Sequence, residues 1–124
     1  MKFLHLEDND ADAELFDALL HREWPDCNII RLSTRREFET ALQKENFDLI
    51  LSDHSMPGFD GLTALQMTRI TAPDTPFVFL SGTIGEERAI EALKYGAADY
   101  VLKESPARLL AAVHGALQQG QQAA

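Results

Sequence analysis

Residues 48–61 carry the sequence DLILSDHSMPGFDG, in which a continuous apolar run ends at an aspartate and turn-forming residues follow. Short apolar runs of this kind are typical of strands that are covered on both faces of a parallel sheet. Beyond Gly61, Leu62 and Leu65 repeat with helical spacing. The stretch therefore predicts a buried strand that delivers Asp53 to a loop, and a helix that begins after the loop.

Four further short apolar runs flank this stretch, and helical patterns fill the gaps between them. The five candidate strands occupy residues 2–6, 27–32, 48–52, 75–80 and 98–102. A β-α alternation repeated five times predicts an α/β fold, in which helices cover both faces of a doubly wound, mostly parallel sheet. The second run, CNIIRL, mixes polar and apolar residues, so we expect it at an edge of the sheet.

Local signals mark where several helices begin and end. Thr34 stands three residues before Glu37, which is the spacing of a capping box at the start of the second helix. Gly96 is expected to end the fourth helix, and Ser105 followed by Pro106 to open the fifth. Apolar stripes that predict core-facing sides lie on the first and fourth helices: Ala11, Leu15, Phe16 and Leu19, and Ala89, Ile90 and Leu93.

The composition limits the class of protein. A chain of 124 residues fits a single domain. The net charge is -9, from 20 acidic and 11 basic side chains. This balance argues against direct nucleic-acid binding, which needs clustered Lys and Arg, and against binding to an anionic membrane surface. It favours cationic ligands and basic partner surfaces.

Cysteine usage and the lengths of the apolar runs indicate the compartment. Cys27 is the one cysteine, so no internal disulfide can form. No apolar run is long enough to span a bilayer, and the first residues lack a secretory signal, so we expect a cytoplasmic protein without membrane insertion. Residues 118–124, QQGQQAA, predict a polar tail or the start of a linker after a domain at residues 1–117.

Residues capable of chemistry follow four of the five predicted strands. Glu7 and Asp8 follow the first, Asp53 the third, Ser81 the fourth and Lys103 the fifth. Ligands of parallel sheets bind beyond the carboxyl ends of the strands, so we expect these side chains to converge there. Three carboxylates repel one another, and a hard divalent cation that keeps water ligands, typically Mg²⁺, relieves the repulsion. Mg²⁺ favours a phosphoryl group, which the Ser81 hydroxyl and the Lys103 ammonium can bind.

This ordered set resembles the response-regulator receiver domains, from Phe3 to about Leu117. The most specific part is DHSMPGFDG at residues 53–61, which is similar to the family's phosphoacceptor loop in its Asp, its Met-Pro pair and its Gly. The other similar segments are Glu7-Asp8 before Asn9, Ser81-Gly82, and Tyr100-Val101-Leu102-Lys103. The resemblance implies a flavodoxin-like sheet with strand order 2-1-3-4-5 and five helices.

The resemblance also implies a metal site beside a phosphorylated residue. Asp53 would be the phosphorylated aspartate. Asp8 and Asp53 would bind Mg²⁺ directly, together with the backbone carbonyl of Ser55, while Glu7 would act mainly through water. Ser55 and Thr83 would tune the lifetime of the phosphorylated state, because both positions vary in the family and small side chains there admit water.

Residues at the ends of the fourth and fifth strands complete the implied site. Ser81 and Lys103 would bind the phosphoryl oxygens, and Gly82 would leave the phosphoryl group an open approach. Tyr100 would be the aromatic switch residue that moves together with Ser81. Many family members have a proline directly after the lysine, whereas Glu104 stands there in this chain, so the geometry of that turn is left open.

As a receiver domain, the chain would take a phosphoryl group from a histidine kinase or a histidine phosphotransfer protein of a two-component or phosphorelay system. It would catalyse only its own phosphoryl transfer and hydrolysis, and would not turn over a separate substrate. Phosphorylation would change a partner-binding surface of the fourth helix, fifth strand and fifth helix, where a homodimer could also form. The kinase, the signal, the output, the oligomeric state and any further domain stay open.

Three other functions are compatible with parts of the sequence. A Mg²⁺-dependent phosphatase with Asp53 as nucleophile usually needs a second acid to protonate the leaving group, and Ser55 offers only a hydroxyl. A flavin-binding module needs N–H groups and hydroxyls around a phosphate after the first strand, whereas residues 7–12 hold four carboxylates. A receiver that binds partners without being phosphorylated is the third, and the intact key residues disfavour it.

Two histidines have structural interpretations. His5 alternates with Leu4 and Leu6 in the first predicted strand, which predicts a hydrogen-bonded histidine in the core. His54 directly follows Asp53, at a position that is variable in the family the chain resembles. We expect His54 to be a solvent-facing loop residue and not a group for proton transfer.

Overall fold

Five strands alternate with five helices in the computed structural model, which describes residues 1–54, 56, 58–82 and 85–123, the last four as backbone alone. The strands are β1 (Lys2–Leu6), β2 (Asn28–Leu32), β3 (Leu49–Asp53), β4 (Phe77–Ser81) and β5 (Asp99–Leu102). The helices are α1 (Asp10–Glu23), α2 (Arg35–Lys44), α3 (Gly61–Thr71), α4 (Glu86–Lys94) and α5 (Pro106–Ala123). All pairings are parallel and the strand order is β2-β1-β3-β4-β5, which confirms the predicted fold and the edge position of β2.

The register of the sheet aligns the carboxyl ends of the strands. Asp53 pairs with Leu80, so it is the last residue of β3 and not the first residue of a loop. Ser81 likewise ends β4, opposite Leu102 of β5. The strand predicted from residue 75 begins later, and Pro76, which has no N–H to donate to a sheet, lies just before it. The loops that follow β1, β3, β4 and β5 therefore all leave the sheet on the side where the carboxyl ends of the strands lie.

Apolar side chains cover both faces of the sheet, as the continuous apolar strands predicted. Alternate residues of β3 point to opposite faces, since strand side chains have a period of two. Ile50 packs in the cluster that includes Phe38 of α2, whereas Leu49 and Leu51 pack in the cluster that includes Phe16 of α1. The central strand β3 is thus covered on both faces, and only its carboxyl end reaches the site.

The first helix has a buried apolar side, but this is not the side that the sequence pattern predicted. Its buried residues are Ala13, Phe16 and Leu20, whereas Leu15 is 53% exposed. The spacing of three and four residues between the buried positions defines the face that meets the sheet. Leu15 lies outside that face, so the prediction that it faces the core was wrong.

The fourth helix packs through small residues, and its predicted stripe was also wrong. Ala92 is its buried residue, while Ile90 is 61% and Leu93 50% exposed. At 3.6 residues per turn, Ile90 lies about 160° and Leu93 about 100° around the helix from Ala92. Both side chains therefore leave an apolar surface on the outside of α4.

The predicted helix boundaries are confirmed where capping residues specify them. The Thr34 Oγ1 atom accepts a hydrogen bond from the Glu37 N–H at 3.2 Å, as a capping box requires. Gly96 follows Tyr95, the C-cap of α4, and adopts a φ of 104°, a conformation that favours glycine. α5 begins at Pro106 and continues past residue 117, while the domain boundary there stays a prediction. In the part of the chain that is described, no helix has the length and apolarity to cross a membrane.

Candidate functional site

The loop after β1 and the end of β3 bring three carboxylates together. Glu7, Asp8 and Asp53 each offer an oxygen, and these oxygens all lie within 4.8 Å of one another. Glu7 is buried, Asp53 is partly buried and Asp8 is exposed. This convergence was predicted from the strand order, and it provides oxygen ligands on one side and solvent on the other. The donor set fits Mg²⁺, which combines one or two carboxylates with water and phosphate oxygens.

The ammonium of Lys103 lies among these carboxylates. Its Nζ atom is 2.6 Å from Glu7 Oε1, and it donates hydrogen bonds to Asp12 Oδ2 at 2.7 Å and Asp53 Oδ2 at 3.0 Å. Burial by itself lowers the pKa of Lys103, but its contacts with the three carboxylates outweigh burial and raise that pKa above its ordinary value. The ammonium therefore stays protonated beside Asp53.

Glu7 is the most deeply buried acid of the site. Burial raises the pKa of its carboxyl and the charge of Asp53 adds to the effect, while Lys103 and the Asn9 N–H oppose it. Among the described residues, Oε1 of Glu7 has the ammonium beside it but no hydrogen bond of good geometry. A buried, incompletely satisfied carboxylate oxygen is a further reason to place a cation here.

The ends of β4 and β5 lie beside this cluster. Ser81 is buried, and its backbone oxygen accepts a hydrogen bond from the Lys103 N–H at 2.7 Å. Among the described residues, no atom lies within 4 Å of a Cβ added to Gly82, so none of them fills the space beside it. The Lys103–Glu104 peptide, left open above, is trans. Ser55 and Thr83 lie outside the described residues, so the predictions made for them are unchanged.

The Tyr100 ring belongs to a cluster of three aromatic rings. Its centroid is 5.7 Å from that of Phe79 and 5.7 Å from that of His54, and the His54 and Phe79 centroids are 5.2 Å apart. The prediction of a solvent-facing His54 was therefore wrong. Burial lowers the pKa of the His54 imidazole, and the charge of Arg88 lowers it further. The alternation of side chains along β3 could have predicted this packing of His54, because position 54 continues the face of Ile50 and Ser52.

His5, by contrast, confirms its prediction. Its side chain is buried, and its Nδ1 atom lies 2.7 Å from Oδ1 of Asp17 in α1. The pair joins β1 to the helix that covers it. His5 therefore has a role in the packing of β1 against α1 and is not part of the carboxylate site.

Sequence reasoning did not assign Asp12 and Arg31 to the site. Asp12 contacts Lys103 from the first turn of α1, which the Asn9 side chain caps by accepting from the Asp12 N–H at 2.9 Å. Arg31 of β2 donates to the Glu7 carbonyl at 3.0 Å and pairs with Asp10 at 2.7 Å. These contacts join segments that are distant along the chain, so no local motif marks them.

A model of one protein family matches most of this chain. The model of the response regulator receiver domain matches residues 3–114. The chain belongs to this family. Its receiver fold and its convergent Glu7, Asp8, Asp53 and Lys103 agree with the resemblance drawn from the motifs.

Individual relatives support the same assignment. The receiver domain is 41% identical over 70 residues to the response regulator protein FleR of Pseudomonas aeruginosa, a match that covers 56% of this chain and 15% of FleR. It is 31% identical over 108 residues to the two-component response regulator ARR10 of Arabidopsis thaliana, covering 83% of this chain and 18% of ARR10. The chain thus spans less than a fifth of either relative.

A solved structure matches the whole fold. The BeF3-activated N-terminal receiver domain of Klebsiella pneumoniae RstA aligns with a TM-score of 0.85 at 30% identity, and the alignment covers 95% of this chain and 99% of that one. The match supports the topology of the receiver domain described above.

Proposed function

We propose that this receiver domain accepts a phosphoryl group on Asp53 from a histidine kinase or a histidine phosphotransfer protein. The single observation that carries the proposal is the position of the Asp53 carboxylate. It ends the central strand, contacts the Lys103 ammonium at 3.0 Å and shares a cluster with Glu7 and Asp8. A carboxylate oxygen of Asp53 attacks the phosphorus, an O–P bond forms, and the P–N bond of the phosphohistidine breaks. The imidazole keeps that electron pair and takes up a proton.

The residues around Asp53 bind and orient the transferred group. Lys103 places a fixed positive charge beside the phosphoryl oxygens, and the Ser81 hydroxyl donates a hydrogen bond to one of them. Asp8 and Asp53 would hold Mg²⁺, with Glu7 acting mainly through water, and the bound ion would supply positive charge to balance the phosphoryl oxygens. The same arrangement serves the later hydrolysis of the acyl phosphate, and Ser55 and Thr83 are proposed to tune its rate. No separate substrate is turned over.

Phosphorylation is proposed to act on the outer surface of α4, β5 and α5. Ser81 approaches the new phosphoryl group, and the Tyr100 ring moves with it. The proposal is supported by the contacts of Tyr100 with His54, the residue after Asp53, and by the exposed apolar side chains of Ile90 and Leu93 on α4. A partner protein, or a second copy of the domain, would bind that surface. A cytoplasmic location and the absence of direct nucleic-acid binding belong to the same proposal.

Intact-mass measurement after incubation with acetyl phosphate and Mg²⁺ tests the central step. The wild-type domain should gain one phosphoryl mass, which should disappear in base because an acyl phosphate hydrolyses there. Asp53→Asn should gain none, and chelation of the metal should prevent the gain in wild type. A phosphoryl mass on the Asp53→Asn variant under the same conditions would show that another residue is modified.

A further inference from the structure

Asp12 forms a close contact that the proposed phosphorylation does not require. Its Oδ2 atom lies 2.7 Å from Lys103 Nζ, which is closer than the 3.0 Å between that ammonium and Asp53. Yet among the described residues, Asp12 is not in the carboxylate group whose oxygens could hold a cation together. Its charge therefore bears on the site through Lys103 and not through the metal.

Carboxylate oxygens crowd the ammonium in this arrangement. Of its three N–H donors, two are directed to Asp12 and Asp53, and Glu7 Oε1 lies 2.6 Å from the same nitrogen. The Lys103 side chain is only 15% exposed, so water replaces few of these contacts. A phosphoryl oxygen that approaches Lys103 therefore competes with carboxylates that already contact it.

Asp12 is the carboxylate most easily displaced. Its side chain is 36% exposed, against 1% for Glu7 and 12% for Asp53. It lies in the first turn of α1 and shares the Lys103 ammonium with Asp53. Like charges repel, so the negative charge of Asp12 also disfavours the approach of a dianionic phosphodonor.

We propose that Asp12 is a positioning residue that competes with the phosphoryl group for Lys103 and so slows the phosphorylation of Asp53. The inference rests on the proposed function. In the unphosphorylated domain Asp12 helps to hold Lys103 in place. On phosphorylation Lys103 turns its donors to the phosphoryl oxygens, and Asp12 is released to solvent. Asp12 thereby sets how readily the domain enters its phosphorylated state.

Phosphorylation kinetics of Asp12→Asn with acetyl phosphate at saturating Mg²⁺ test the proposal. In this reaction the Asp53 oxygen bonds to phosphorus, and acetate leaves with the electron pair of the P–O bond. The second-order rate constant should rise about 3- to 10-fold, as expected for removing one charge near the reacting group. The affinity for beryllofluoride, a phosphoryl mimic, should rise in the same direction. Asp12→Glu, which restores the charge, should return both values toward wild type.

Asp10→Asn is the matched control. Asp10 lies in the same helical turn and carries the same charge, but it pairs with Arg31 and its side chain is 85% exposed. Its removal should change the rate constant by less than about twofold, because exposed charges are screened. A merely structural Asp12 would affect the unfolding midpoint without accelerating phosphorylation.

Two outcomes overturn the inference while the proposed function stands. One is an Asp12→Asn variant that is phosphorylated at the wild-type rate or more slowly. The other is an equal acceleration in Asp10→Asn, which would show a bulk charge effect. If the wild-type domain gains no phosphoryl mass at all, the proposed function itself fails and this inference with it.

Discussion

At the scale of single residues, the site is governed by an excess of negative charge. Lys103 contacts Glu7, Asp12 and Asp53, and one ammonium cannot neutralise three carboxylates. Glu7 has the additional cost of burial, which raises the pKa of its carboxyl. The folded domain thus carries repulsion that a divalent cation would relieve. This repulsion leads to a prediction for Asp8, the most exposed of the three clustered carboxylates.

Asp8→Asn should stabilise the domain in the absence of metal and abolish most of its stabilisation by Mg²⁺. Removal of one charge should raise the free energy of unfolding by about 0.5–1 kcal/mol, a typical value for a charge exposed to solvent. Urea unfolding with and without millimolar Mg²⁺ measures both effects, since a ligand of the folded state stabilises by mass action. Asp26→Asn, in the exposed turn before β2, should leave the Mg²⁺ response intact. An undiminished response in Asp8→Asn would remove Asp8 from the metal site.

At the scale of elements, the site depends on how closely α3 approaches the end of β3. Gly61, the first residue of α3, donates its N–H to the His54 carbonyl at 2.9 Å. A Cβ at this position would lie 2.6 Å from the Asp53 carbonyl oxygen and 2.6 Å from the Phe79 ring. Neither atom belongs to a side-chain end that can swing away freely. The residue is therefore restricted by packing against the strand that carries Asp53.

Gly61→Ala should destabilise the domain and slow phosphorylation together. Overpacking of this kind costs about 1–3 kcal/mol, and the backbone of Asp53 must move to relieve it. Gly115→Ala in α5 is the control, because a Cβ there meets no atom of the described residues within 4 Å. That variant should gain about 0.5–1 kcal/mol, since alanine is favoured over glycine inside a helix. The two variants should differ in urea unfolding and in the rate of phosphorylation by acetyl phosphate. Equal stability and equal rates in both variants would refute the close approach of α3 to β3.

The aromatic cluster links the end of β3 to β5 and makes a second prediction at this scale. His54→Ala removes a ring that packs against Phe79 and Tyr100 and should cost about 1–3 kcal/mol. His54→Phe keeps the ring and should remain close to wild type. Urea unfolding gives the energies, and aromatic NMR signals of Tyr100 report whether its ring is still fixed. If alanine and phenylalanine variants are indistinguishable, His54 does not support the Tyr100 ring.

At the scale of the whole molecule, the exposed apolar side chains distinguish two surfaces. Ile90 on α4 is 61% exposed and Ile70 on α3 is 84% exposed. Only the surface of α4, β5 and α5 adjoins Tyr100 in β5, and the proposed switch would act there. Exposure alone therefore does not distinguish the two surfaces, and the proposed connection of Tyr100 to Asp53 is the reason to expect a partner on α4, β5 and α5.

Ile90→Lys should weaken phosphorylation-dependent self-association by about tenfold or more, the effect of losing a central apolar contact in an interface. The measurement is sedimentation of the wild-type domain and variants with Mg²⁺ and beryllofluoride. Ile70→Lys, which adds the same charge on another helix, should associate like wild type. Disruption by Ile70→Lys alone would place the interface on α3. Association that does not depend on beryllofluoride would separate it from the switch.

The amino-acid sequence by itself determined the fold and the edge of the sheet where the acidic cluster lies. Short apolar runs and helical patterns alternate five times, and parallel strands present their carboxyl ends together, so residues after the strands must converge. The convergence of Glu7, Asp8, Asp53 and Lys103 was predictable because it follows from topology and needs no knowledge of side-chain packing. The roles assigned to Ser81 and Tyr100 in switching stay predictions.

Tertiary structure alone decided which side chains meet within that frame. Asp12 and Lys103 are 91 positions apart and carry no shared motif, so their contact depends on the rotation of α1 against the sheet. The same rotation exposes Leu15, and the small Ala92 lets α4 turn Ile90 outward. His54 is partly buried because the face of β3 continues beyond its last residue to meet Phe79. Periodicity gives the spacing of residues on an element, whereas the angle at which that element packs is fixed by its neighbours.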